Sequence, residues 1–384
     1  MRKVISLLVC LICPGQSHVS LKYPPAREID LDFLDSARTS GDCGMDAGSL
    51  RTSLEAGSQL NFTWHLGYPH GGGYRLELVE GGNSQVLVPQ TGEASFQLTG
   101  GRTAQSAVVT LPDIECSECY LRFQRQATEW GNSYRFRSCA DIRLVRALSD
   151  AERCSGHGSW QGGRCRCERL RQGDRCQYQT QCLDDSDCNG PKGQGSCVSV
   201  ERRIFPYSEC FCADGWYGAQ CQHQTRWGPG QARNFNRDLF SQLSLGPEVE
   251  LLWRVTDDTE VEIIMTAPTL SWLGLGWRPA NTEKSCRDFP SYLGGYRDRT
   301  LHAMDCMDIV LGTARGDLGR VADYYTRDRS TPRLDSVWVN ISPLTKHSPS
   351  LLSCAGRVRR PPQLPRLGGG REDLDEVREG AGWG

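Results

Sequence analysis

After its first seventeen residues the chain has no stretch approaching the eighteen or so consecutive apolar residues that a membrane-spanning helix needs. It has no long run of apolar residues at helical spacing, which sets aside an all-helical fold. It carries almost no net charge, −2 over 384 residues, and so lacks the bias expected of a protein whose main partner is nucleic acid or an anionic membrane. It has no Ser-His-Asp order, no phosphate loop and no His-Glu-x-x-His pair, so neither hydrolase nor nucleotide chemistry finds support.

Cysteine, by contrast, is abundant. Nineteen in a chain of this size are too many for a reduced cytosolic protein and indicate an oxidising compartment. The N-terminus agrees. Arg2 and Lys3 form a short basic region, Val4 to Cys13 an apolar one, and Gly15-Gln-Ser17 puts small residues ahead of a cleavage point. Residues 1–17 are therefore expected to be a signal peptide, leaving His18 as the mature N-terminus of a secreted, extracellular chain without a transmembrane segment; cleavage a residue or two away is the alternative. Two sequons, Asn61-Phe-Thr and Asn340-Ile-Ser, are candidate glycosylation sites in that compartment.

With Cys10 and Cys13 lost alongside the signal, the remaining cysteines cluster as four (Cys43, Cys116, Cys119, Cys139), ten (Cys154 to Cys221) and two (Cys286, Cys306), with Cys354 left over. Even clusters suggest self-contained disulfide units. In the first, residues 18–149, short alternating runs such as Gln59-Leu-Asn-Phe-Thr-Trp64 and Tyr74-Arg-Leu-Glu-Leu-Val79 are separated by glycine-rich turns, the pattern of an antiparallel β-sandwich. Cys116-x-x-Cys119, beside Cys43 and Cys139, reads as part of two structural disulfides rather than a zinc or redox motif, with three connectivities open. Alternation puts His65 on the face opposite Trp64. His70 ends a strand just before three glycines, and taken alone it is ordinary solvated surface.

A set of motifs changes that reading. Trp64 is followed six residues later by His70. Cys116-Ser-Glu-Cys-Tyr-Leu-Arg-Phe123 follows, and then Trp130-Gly131 and Phe136-Arg-Ser-Cys-Ala-Asp-Ile142, all after an early Pro24-Pro-Ala-Arg27 and Cys43-Gly44. In this order they resemble the lytic polysaccharide monooxygenases, most of all the animal branch acting on chitin and cellulose. The resemblance implies a copper ion held by the amine and imidazole of His18 and the imidazole of His70. It also implies Phe136 in the axial position and Glu129 or Gln126 orienting a bound oxygen species. Three such nitrogens suit copper(II), which heads the divalent affinity order. The amine, with a free pKa of roughly 7.7–8.0, must lose its proton, so metal binding should weaken as pH falls. The unit is short for the catalytic family, and smaller related copper proteins bind the metal without known oxidative cleavage. Those carriers use an Asp in the site, whereas Phe136 matches the catalytic relatives.

The second cluster has an equally readable spacing. Cys182-x5-Cys188-x8-Cys197-x12-Cys210-x-Cys212-x8-Cys221, with Cys212-Ala-Asp-Gly-Trp-Tyr-Gly218, resembles the epidermal growth factor (EGF) module over residues 182–226. The resemblance implies the pairs 182–197, 188–210 and 212–221. Residues 150–181 resemble a second copy lacking one bridge, with Trp160 where a cysteine belongs, which leaves 154–165 and 167–176. Such modules rely on disulfide staples because they bury too little surface; they are read as spacers that could engage extracellular proteins.

In residues 235–335, Trp272-Leu-Gly-Leu-Gly-Trp277, Met304-Asp-Cys-Met-Asp-Ile-Val-Leu-Gly312 and Asp323-Tyr-Tyr325…Pro332-Arg-Leu-Asp335 resemble the DOMON β-sandwich, an incomplete one here. Some members of that family bind haem through a Met and a later His. Met304 is the candidate ligand, with Met265 and Met307 as others, and the His cannot be placed; a Met in such a sandwich is more often core. Cys286 and Cys306 would form its disulfide. The Pro/Gly/Arg-rich end, residues 350–384, is expected to be disordered, leaving a sandwich with open edges.

The fold expected is mainly β: a sandwich, disulfide-rich EGF-like modules and an incomplete DOMON sandwich. Three functions fit it. The first is a copper-dependent oxidase of polysaccharide or glycan chains, the second a copper binder without catalysis, the third an adhesion or matrix protein. Only the first two require His18 at the mature terminus.

Overall fold

The computed structural model describes residues 19–27, 34–35, 42–43, 46–66, 70–90, 92–98, 104–201, 207–225, 236–246, 249–255, 260–268, 272–278, 281–287, 300–301, 305–326, 333–334, 340–345 and 351–359. The chain is mainly β. Its first unit is a sandwich of two sheets. Strands β1 (Ser20–Tyr23), β4 (Gln59–His65) and β8 (Ala104–Thr110) form the smaller. The larger is built on β10 (Arg135–Val145), β9 (Cys116–Gln126) and β5 (Gly73–Glu80). Its margins are β2 (Leu34–Asp35), β3 (Thr52–Glu55), β6 (Asn83–Leu87) and β7 (Gln97–Leu98).

Period-two patterning explains the packing. Leu60, Phe62 and Trp64 on β4 point inward and are buried, while Asn61 between them is exposed. Trp64 lies 5.0 Å from Phe62 and 5.0 Å from Phe123 of β9, ring centre to ring centre, so aromatic contacts tie the two sheets together. The segments that follow the first strand are fastened to β10 as well. Arg27 grips Asp141 with both ends of its guanidinium (2.7 and 2.8 Å), Gly48 donates its amide to the same carboxylate at 2.8 Å, and Cys43 is bonded to Cys139. The second disulfide of this unit is Cys116–Cys119.

A disulfide-stapled segment follows. It holds the hairpins β11 (Gly158–Gln161) with β12 (Arg164–Cys167) and β13 (Arg171–Gln172) with β14 (Tyr178–Gln179). Two more follow, β15 (Gly195–Glu201) with β16 (Tyr207–Cys212) and β17 (Trp216–Tyr217) with β18 (His223–Gln224). The bonds are Cys154–Cys165, Cys167–Cys176, Cys182–Cys197, Cys188–Cys210 and Cys212–Cys221.

This segment is docked on the sandwich rather than strung from it. One turn of helix, α1 (Asp150–Arg153), is opened by a capping box between Ser149 and Glu152. The Glu152 carboxylate also accepts from Ser53 Oγ of β3 at 2.8 Å and from Arg143 of β10. Its donors, Ser149 first, hold the carboxyl down at about 2. Arg175 donates to the carbonyls of Ser53 (3.2 Å), Glu152 (2.8 Å) and Arg153 (3.1 Å) and lies over the Tyr23 ring. Tyr178 packs edge-on against Tyr23 and meets Thr63 Oγ1 at 3.1 Å. Arg175→Ala strands three carbonyls in this joint, so it is expected to lower the unfolding free energy by about 2 kcal/mol. A change below roughly 0.5 kcal/mol in a urea titration, the size of an ordinary surface substitution, would show that the joint is loose.

The third unit packs β19 (Ser241–Gly246), β20 (Val249–Val255), β21 (Glu260–Pro268), β26 (Asn340–Thr345) and β27 (Leu351–Arg359) as one sheet. The facing strands are β22 (Trp272–Trp277), β23 (Met307–Arg315), β24 (Leu318–Thr326) and β25 (Arg333–Leu334). Its core holds Leu251, Met265, Ala267, Leu273 and Leu275. Gly276 of the Trp-x-Gly-x-Gly-Trp strand makes room for Met307: a Cβ there would sit 2.6 Å from Met307 Cε and the methionine end would have to shift.

Two expectations are corrected here. Leu351–Arg359 was expected to be disordered, yet it pairs along its whole length with β21 and also with β26. The sandwich was expected to have open edges, yet β24 meets β16 of the stapled segment at Cys212 and Gly319. Both arise from backbone pairing, which the side-chain pattern does not advertise. Residues 360–384 lie outside the described residues. Among those described, no helix is long and apolar enough to cross a membrane.

Candidate functional site

His70 sits where the chain turns from β4 into β5. Its side chain is only 9% exposed. The ring lies nearly parallel to that of Phe136, with centroids 5.0 Å apart and planes at 20°. Phe136 is fully buried on β10, and Tyr134 meets its edge at 5.6 Å.

The imidazole is held by Glu129 on a short 3-10 turn, Thr128–Trp130. One carboxylate oxygen bonds His70 Nδ1 and the other accepts the Gly71 amide at 2.9 Å. This fixes ring rotation and places the proton of the neutral imidazole on Nδ1, which makes Nε2 its donor atom toward a metal. Burial alone would raise the Glu129 carboxyl. The hydrogen bonds from its own amide, from His70 and from Gly71 outweigh burial and hold it below the usual carboxylate range.

Beneath the loop lies Arg125, 1% exposed. Its guanidinium donates to the carbonyls of His70, Gly71 (3.2 Å), Gly73 (3.2 Å) and Gln126 (2.8 Å). Gln126 Oε1 accepts the Gly73 amide at 2.9 Å, which ties this side chain to the same loop. Gly73 must be glycine because a Cβ would lie 2.6 Å from the Gln97 carbonyl oxygen of β7.

The beginning of the described chain lies at the same end of the sandwich. Ser20 stands opposite His65 in the β1–β4 register, and the Leu21 amide donates to Ser138 Oγ at 2.9 Å, two residues along β10 from Phe136. His18 itself lies outside the described residues. Of the two expected copper histidines, the structure therefore places one, beside Phe136 and Glu129.

No family model and no curated protein matches this chain. Among solved structures, an AA10 lytic polysaccharide monooxygenase (LPMO) from Streptomyces lividans is similar to 24% of this chain at 14% identity, with a TM-score of 0.18. The match covers 59% of that protein, less than two thirds of its length. A likeness so distant says nothing of ligands or activity, which rest on this chain's own residues.

The other expected site residues are scattered. Met304 lies outside the described residues, while Met265 and Met307 are buried in the third unit, where they pack. Cys286 and Cys306 are bonded to one another. Asn61 is exposed in mid-strand, though Thr63 of its sequon is buried under Tyr178. Asn340 opens β26. The sulfur atoms of Cys182, Cys188 and Cys197 lie within 4.8 Å of one another, but all three are in disulfides and offer no thiolate to a metal. Arg125 was missed by sequence reasoning. The signal for it was an arginine at a core-facing step of the alternation Leu121, Phe123, Arg125.

Proposed function

We propose that the chain is a secreted protein that binds one copper ion through His70 and the amine and imidazole of His18, and uses it to oxidise polysaccharide or glycan chains. The observation that supports this is the His70 imidazole, nearly buried, held at Nδ1 by Glu129 and stacked on Phe136. A carboxylate on the far nitrogen of an imidazole is the usual outer-shell partner of a metal-binding histidine. Copper bound there would supply one-electron redox chemistry toward an oxygen donor. The chain's own residues would do the rest. His70 supplies a nitrogen, Glu129 sets its tautomer and rotation, and Phe136 keeps one side of the ring apolar. In this reading the stapled segment is a pair of EGF-like modules and the third unit a DOMON-type sandwich, which serve as spacer, partner surface or electron donor.

Intact-mass analysis of the secreted protein, then copper titration followed by spin resonance, tests the reading. A mass beginning at His18 is expected, and His70→Ala should weaken copper binding by about 100-fold or more, since a second-shell loss alone costs roughly 10–100-fold. Another N-terminus, or unchanged affinity in His70→Ala, would end the copper reading. Chitin treated with reductant then separates the two copper functions: oxidised oligosaccharides mark catalysis, and their absence across several substrates marks carriage.

A further inference from the structure

We propose that the outward face of the β11–β12 hairpin, with Arg164 and Arg166 on it, binds a sulfated extracellular glycan. The face belongs to the stapled segment rather than to the sandwich, and the inference does not rest on the copper reading. The run Arg164-Cys165-Arg166-Cys167 sorts itself by period two. Both cysteines turn toward the body of the segment, into the bonds Cys154–Cys165 and Cys167–Cys176, while both arginines turn away from it and are exposed. The register sets Gln161 opposite Arg164 and Ser159 opposite Arg166, so the four share one face. Trp160, opposite Cys165, lies on the other side, where Arg153 stands over its ring at 5.5 Å. Gly162 and Gly163, at φ of 57° and 78°, close the hairpin in a tight turn surrounded by open space. The arginines thus stand on a short projection whose base is bridged twice, so little backbone order remains to be lost on binding.

Among the described residues, neither guanidinium has a hydrogen bond, an ion pair or a ring contact. Their neighbours in sequence are spent within the chain: Arg153 on Glu55 at 3.6 Å, Arg169 on Asp187, and Arg175 on three carbonyls. The hairpin itself holds no acid. Glu168, the first after it, lies 3.9 Å from His157 Nδ1 and is the acid that works against an anionic ligand. Alternate residues of a strand stand about 7 Å apart, so the two planar forks can meet successive oxyanions of a linear chain. The other two groups are neutral and polar, with Gln161 Nε2 donating to Ser159 Oγ at 3.1 Å, and they suit sugar hydroxyls. The face carries no apolar or aromatic side chain. A folded protein partner calls for such anchors at the centre of its interface, and single-stranded nucleic acid calls for aromatic rings on which bases stack. A sulfated glycan needs neither. The whole chain carries −2, so this basic face is a local feature rather than a share of a general excess.

The test uses the full secreted chain without added copper, titrated with a sulfated glycosaminoglycan oligosaccharide and with neutral chitohexaose. A polyglutamate peptide and a single-stranded DNA, each matched in charge to the sulfated sugar, stand for the other partners. The sulfated sugar is expected to bind and the neutral one not. Arg164→Gln and Arg166→Gln should weaken binding by roughly 5-fold each and by roughly 20-fold together, the scale of exposed charge pairs that act almost independently. Binding should also fall as salt rises from about 50 to 300 mM, because exposed ion pairs are screened. Arg146→Gln, on the sandwich and paired there with Asp113 and Glu115, removes one positive charge elsewhere and should bind as wild type does. Both hairpin arginines are exposed, and thermal unfolding of each variant checks that the fold is intact. No binding of the sulfated sugar, equal binding of the neutral one, or wild-type affinity in the double variant would overturn the inference. So would binding of the peptide or the DNA as tight as that of the sulfated sugar. The copper titration proposed above is read separately, and its result leaves this one standing or fallen on its own.

Discussion

Arg125→Met is expected to cost about 3–5 kcal/mol, the scale of removing one member of a buried charged network. The methionine fills much of the volume of the arginine, so the loss is polar rather than steric. Four carbonyl oxygens, of His70, Gly71, Gly73 and Gln126, lose a donor at once. Each such group left dry costs about 1–3 kcal/mol, and those in the loop recover part of this from water. Against the loss stands the relief of a desolvated cation. Burial already lowers the Arg125 pKa, with Glu129 working the other way. That relief is smaller than the sum of the stranded carbonyls, so the sign is destabilising. For a unit of this size the midpoint of thermal unfolding should fall by on the order of 10 °C. Amide exchange should quicken at residues 70–73 before it does in β4 or β9, because the loop is what the guanidinium holds. Arg125→Lys should fall between the two, since an ammonium has three donors and no planar fork. A methionine variant within roughly 1 kcal/mol of wild type would mean that the loop holds itself.

The strand through Leu60, Phe62 and Trp64 was legible because burial on one face leaves a period-two trace. Arg27, Cys43, Cys139 and Asp141 were legible as motif residues, and the structure shows their local task. They fasten the segments around Arg27 and Cys43 to β10 through an ion pair and a disulfide. His70 and Phe136 were legible as a pair only through resemblance, because 66 positions separate them in the sequence and their stacking is a tertiary fact. Glu129 or Gln126 was expected to orient a bound oxygen species from behind the metal ligands; in the structure the Glu129 carboxylate spans His70 and the Gly71 amide, a contact that spacing alone does not reveal. Arg125 and β27 left no usable trace. The first looks like a polar error in a buried alternation, and the second pairs through a backbone whose hydrogen bonds are the same for every residue type.

His65 supplies the second large effect, and it is a pH effect. Its ring is half-buried beside Lys22, and its pKa falls from 6.5 to about 4, chiefly through burial and then through repulsion from that lysine. In the folded chain His65 is therefore neutral between those values, while in the unfolded chain it takes up a proton as pH drops through 6.5. The unfolded state binds more protons across this window, so stability falls as pH falls and levels off once the folded form also protonates near 4. The two limits bound a loss of about 3 kcal/mol. Glu129 and Glu152 act in a different window. Their folded values are lowered, so the stability they contribute is intact above the ordinary carboxylate range and is lost only below it. The stretch from about pH 6.5 to 4.5 thus isolates the histidine. Urea titrations across it should show wild type losing about 2–3 kcal/mol, with His65→Gln keeping most of that stability because the amide does not charge. Parallel slopes in the two proteins would show that the drop belongs to other groups and that water reaches the His65 ring freely.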